Sequence, residues 1–171
     1  MALGTHRRRT ASIVLAAVLC AAPMPARSFA AGAPGDPVAT SSTVSTVLEL
    51  TNIERSHAGL APLRENRRLT YAAQLQSEQM ESASRVDHVL QGAPYPHPSD
   101  RLAAAKYAWE AYAENVAAGQ RSAADVVSAW MKSSGHRANI LSPLYTELGV
   151  GVALDEAGRL YYAQVFGRPG S

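Results

Sequence analysis

The sequence predicts an α+β domain, helices first and an antiparallel pair of strands last, on three observations. Helical spacing of apolar residues fills most of the chain from Val44 to Met131. Two β-rich runs, 147–154 and 159–166, come last and are joined by a short connection ending in Gly158. Helices and strands do not alternate, as a parallel βαβ fold would require. The 171 residues suffice for one sizeable core and, once a leader is removed, are too few for two ordinary domains.

The first thirty residues have the order of a secretory leader. His6, Arg7, Arg8 and Arg9 form a charged start, an apolar run extends from Ile13 to Ala22, and Ser28, Phe29 and Ala30 place small residues at a cleavage site after Ala30. The apolar run is about half of the ~20 residues a membrane-spanning helix needs, so no retained transmembrane anchor is expected. Cys20, the only cysteine, lies inside this leader and follows Leu19, a large residue where lipid attachment calls for a small one. The exported domain would then carry no thiol and must be held by packing. Residues 31–43, rich in Ala, Gly, Pro, Ser and Thr, bury too little to offset their ordering entropy and read as a flexible linker before a domain spanning 44–171. Without the leader's four arginines, twelve basic residues face fourteen acidic ones, a net charge of −2. A nucleic-acid partner is therefore not expected.

Within the domain, Val44, Leu48, Asn52 and Arg55 share one face of a first helix, where Asn52 and Arg55 read as buried ties to a neighbouring loop. A second helix is expected from Leu69 to Arg85, followed at once by His88, which by position alone could be no more than a partner for the helix's negative end. Gly92, Pro94, Pro96 and Pro98 make 91–99 a loop with an exposed His97. A short third helix over 100–107 and an extended run over 109–116 come next, the latter carrying Glu114. After the turn at Gly119, Ser122 caps a fourth helix with Asp125 three residues on, and Trp130 reads as core. His136, between Gly135 and Arg137, is placed on a short turn able to aim an imidazole into a cleft.

The segments Leu50-Thr51-Asn52-Ile53-Glu54-Arg55, Gly59-Leu60-Ala61-Pro62-Leu63, Val86-Asp87-His88, Glu114-Asn115-Val116, Ala129-Trp130-Met131, Gly135-His136-Arg137-Ala138-Asn139-Ile140-Leu141 and Gln164-Val165-Phe166-Gly167 occur in the order found in the CAP superfamily of secreted, SCP-like and pathogenesis-related-1-like domains. The chain resembles its compact bacterial branch over roughly 44–167. That resemblance implies the αβα sandwich, a secreted, extracellular bacterial protein, and a cleft in which His88, Glu114 and His136 meet. Many eukaryotic members place a second glutamate where this chain has Ser133, and Glu147 is the candidate substitute, with a structural acceptor as its rival role. The candidate catalytic set is thus His88, Glu114, His136 and Glu147, with His88 and His136 as ligands to a divalent metal, zinc by donor type.

No His-Glu-x-x-His, Gly-x-Ser-x-Gly, phosphate-cradling loop or paired CxxC is present. Two functions of different class follow: a metal-assisted or His/Glu acid–base hydrolase, and a non-catalytic module binding a lipid, a small molecule, a cell-envelope component or a protein partner. The domain is expected to be monomeric.

Overall fold

The computed structural model describes residues 15–17 and 37–170, with side chains from residue 41. The expected cleavage site after Ala30, Cys20 and the start of the linker lie outside the described residues. Helix α1 spans Pro37–His57, α2 Arg67–Ser82, α3 Pro98–Ala104, α4 Ala123–Lys132 and α5 Ser134–Ile140. Strands are β1 Leu15–Ala17, β2 Arg64–Glu65, β3 Trp109–Ala118, β4 Glu147–Leu154 and β5 Leu160–Pro169. Together they form one mixed sheet in the order β1-β3-β5-β4-β2. The pairs β3/β5 and β4/β5 are antiparallel, as expected, whereas the short β1 and β2 join the two edges in parallel.

Side chains of a strand alternate between faces, and that alternation builds the three layers. Ala113, Val150, Val152, Tyr162 and Phe166 face α1 and α4, where they pack with Val47, Val126 and Trp130. Val116, Ala163 and Val165 face the opposite way, onto Leu69, Ala73 and Met80 of α2 and Leu102 of α3. Helix α2 lies directly on the sheet, since a Cβ added to Gly149 would overlap the backbone of Leu69 and Thr70, and one at Gly151 that of Ala73 and Gln74. Glycine is required at both positions for this close approach and not for an unusual turn.

Several local expectations change. Helix α1 starts at Pro37, ahead of the apolar periodicity, with proline in the first turn where its missing N–H costs nothing. His136 sits in the short helix α5 and not in a turn, because Ser133 takes an extended conformation that separates α4 from a new helical start. Part of the apolar run read as a leader, Leu15–Ala17, forms an edge strand. Asn52 and Arg55 tie α1 as anticipated. The Asn52 amide donates to Leu63 O and accepts from Leu63 N at 3.0 and 2.8 Å, and the Arg55 guanidinium donates to the carbonyls of Ala61, Ile140 and Ser142 at 2.8–2.9 Å.

Candidate functional site

Three elements converge on the outer half of β3. The loop following α2 delivers His88, α3 delivers Arg101, and β3 itself supplies Glu114; their exposures are 3%, 1% and 2%. His88 Nδ1 lies 2.9 Å from Glu114 Oε1. Arg101 Nη2 donates to both oxygens of Glu114, at 3.2 and 3.0 Å, and to His88 O at 3.1 Å. Its Nη1 donates to Tyr95 O and Pro96 O. One guanidinium therefore fixes the carboxylate, the backbone of the histidine and the proline-rich loop at once. A buried ion pair is tolerable only when such hydrogen bonds satisfy what the charges lose in leaving water.

With Glu114 held by a permanent cation, the carboxylate acts as an acceptor and His88 Nδ1 as the donor. In the neutral imidazole this leaves Nε2 as the basic nitrogen. Arg101 was not among the residues singled out in the sequence, because an arginine on a short helix beside a proline-rich loop has the pattern of a solvated side chain.

His136 is buried on α5, across the sheet edge from Glu114. Asn115, the strand neighbour of Glu114, faces that side, and its Nδ2 donates to His136 O and to Gln164 Oε1, both at 3.2 Å. Asn139 Nδ2 donates to Asn115 Oδ1 at 2.9 Å, and Gln164 Nε2 to Thr51 Oγ1 at 2.7 Å. This buried amide chain fastens α5 and α1 to β3 and β5. The elements bearing the two histidines thus flank β3 from opposite faces.

Glu147 belongs elsewhere. Glu114 stands opposite Val165, itself opposite Gly149, so β5 and an offset of two residues separate the carboxylates. Glu147 accepts from Tyr107 Oη at 2.7 Å, Asn66 Nδ2 at 3.0 Å and Arg64 Nη2 at 3.3 Å. Burial, then the bond to Glu147 and its charge, raise the Tyr107 phenol well above the usual tyrosine value. Glu147 is thus held as an acceptor by Tyr107, Asn66 and Arg64, not by Arg137, and lies apart from His88, Glu114 and His136. Nearness to the histidine along the chain did not become nearness in space, because the strand it opens is third across the sheet.

The donor set also limits what metal could be held. Among the described residues no group of three or more His, Cys, Asp and Glu side chains could hold a metal ion. Glu114 is engaged by Arg101 and Glu147 is remote, which leaves the two imidazoles. Two imidazoles are too few for a closed structural zinc site, which takes four protein ligands.

Residues 48–166 match the cysteine-rich secretory protein (CAP) family. The chain is 37% identical over 132 residues to YkwD of Bacillus subtilis, covering 77% of this chain and 50% of that protein. It is 34% identical over 120 residues to the membrane protein YlbC of the same organism, covering 70% and 33%. It thus spans half or less of the length of these relatives. An extracellular protein containing an SCP domain from Bacillus anthracis aligns with a TM-score of 0.70 at 28% identity, over 80% of this chain and 45% of that one. The outer surface protein of Borrelia burgdorferi, at 17% identity and a TM-score of 0.66 over 75% and 94%, shares the fold.

Proposed function

Because this chain belongs to the cysteine-rich secretory protein (CAP) family, we propose that it is an exported domain whose cleft works through an oriented imidazole, His88. The observation that carries this reading is the buried contact of His88 Nδ1 with Glu114 Oε1 beneath the Arg101 fork. Glu114 orients the ring. His88 Nε2 is then the atom that accepts or delivers a proton in hydrolysis of a peptide or cell-envelope substrate, or that ligates an ion. A divalent metal, zinc by donor type, would be held by His88 and His136, with water completing its shell and supplying Lewis-acid polarisation when bound. Glu147 has no part in it. Work outside the cell membrane agrees with the extracellular description of the Bacillus anthracis protein. Among the described residues no helix is long and apolar enough to cross a membrane.

Calorimetric zinc titration tests the metal reading. Weak binding is expected in the parent, lost in His88→Ala and in His136→Ala, kept in Glu147→Gln, and weakened below pH ~6 as imidazole protonates. Equal heats in the parent and both histidine variants would remove the metal.

A second reading has its own observation. An open depression of about 600 Å³ lies between α2 and the following loop, lined by Leu75, Ala83, Leu90, Ala93 and Tyr95 among others. Its largely apolar wall suits a non-catalytic module for a lipid or an apolar partner. Binding there would be indifferent to His88→Ala, whereas function through the cleft would not.

A further inference from the structure

Strand β3 pairs with β5 along one side from Trp109 to Ala118. On its other side, among the described residues, it pairs only with β1, whose Leu15, Ala16 and Ala17 stand in parallel register with Glu114, Asn115 and Val116. β1 also packs against α5, the helix that carries His136. The stretch of β3 that takes this guest is the site itself, since Glu114 orients His88 and Asn115 holds the His136 carbonyl. An added strand there lies beside the strand that carries Glu114 and against the helix that carries His136.

Strand addition asks little of the guest. Main-chain hydrogen bonds supply the affinity and adjoining pockets the selectivity, so any extended segment with suitably small side chains can serve. An edge left unpaired is a ready template for such pairing. The guest here is three residues of this chain, in a segment whose sequence has the pattern of a leader removed on export. A second copy that added its own β3 through a two-fold axis normal to the sheet would pair antiparallel. The parallel guest instead favours a separate extended peptide.

We propose that the outer edge of β3 is a strand-acceptor site for an extended peptide, filled in cis by Leu15–Ala17 in the full chain and open to a peptide from another protein once the leader is gone. This deepens the cleft reading by naming its ligand class. It rests on that reading for the role of His88 and not for peptide binding itself.

The form comprising residues 31–171 keeps both core clusters, all of whose members lie beyond residue 43, and the whole family match. It can therefore be tested beside the full chain. The probe is a synthetic peptide of residues 12–19, Ser-Ile-Val-Leu-Ala-Ala-Val-Leu, with two lysines appended for solubility. Amide hydrogen exchange at 114–116 should slow by about tenfold or more at saturating peptide in the 31–171 form. The full chain should show that protection already and bind the free peptide at least about tenfold more weakly. The same peptide N-methylated at Leu15, Ala16 and Ala17 should not protect. No gain in protection, equal gain from the N-methylated peptide, or protection that grows with protein concentration alone would overturn the proposal, the last by assigning the edge to a second copy. Zinc titration of the same preparations separates the two readings. Peptide protection without zinc binding sinks only the metal reading, and zinc binding without peptide protection sinks only the strand-acceptor site.

Discussion

Arg101 shows how a site can depend on a residue that does not touch a ligand. Its guanidinium alone bridges Glu114 to the carbonyls of His88, Tyr95 and Pro96. Replacing it with Met of similar length leaves a carboxylate buried without its cation, a loss typically worth ~3–5 kcal/mol. Urea denaturation of Arg101→Met should show a cost of that order, and Arg101→Lys should recover only part of it because an ammonium cannot fork. A second residue-scale consequence concerns Tyr107. Its phenol titrates above the unfolded value of ~10, so the stability it contributes is complete below pH ~10 and is lost as pH rises toward the folded value. Tyr162, raised to about 12 by burial and then by the charge of Asp125, adds in the same direction. Thermal melts of Tyr107→Phe should start lower at neutral pH, for want of the bond to Glu147, and fall less steeply than the parent's above pH ~10. His88, Glu114 and His136 could be picked out in the sequence because their neighbours form a recognisable order. Arg101 could not, since its partners are mostly backbone carbonyls and carbonyls leave no trace in side-chain identity.

At the scale of elements, the contact of α2 with β4 is the most demanding in the fold. Gly149 and Gly151 alternate along the strand beneath Leu69 and Ala73, with no space for a methyl group. Gly151→Ala should destabilise by ~1–3 kcal/mol or more, as overpacking does, by lifting α2 from the sheet, whereas Gly92→Ala, beside open space, should lose only what its positive φ demands. Denaturant midpoints of the two variants decide this. The close approach at these glycines was not legible in the sequence, because nothing in the strand itself announces a helix backbone above it. The C-terminal hairpin was legible for the opposite reason, its alternation and glycine-ended turn being local signals. The two-residue β2 and the helical state of Ser134–Ile140 were not, since each is set by what lies beside it: β2 by pairing with Glu147 and Leu148, and α5 by the amide chain through Asn115 and Asn139.

For the whole molecule, the α+β class and the order of helices before strands followed from periodicity, while the faces of the sheet had to be seen. Trp130, fully buried among α1, α4 and the sheet, should cost ~3–5 kcal/mol when replaced by alanine, read as a sharply lowered melting temperature. Stability equal to the parent's with loss of ligand binding would instead make it part of a recognition surface. Cys20 is the only cysteine and cannot form a disulfide within the chain, so the two packed layers must position the loop after α2, α3 and β3 by contacts alone. The orientation of His88 is therefore a readout of the complete sandwich. Nitrogen-15 NMR of the labelled imidazole of His88, above the ordinary histidine pKa of ~6.5, measures it directly. The Glu114 contact predicts a proton on Nδ1 and an unprotonated, basic Nε2; a neutral ring protonated on Nε2 would contradict it and remove His88 as the oriented group of the site.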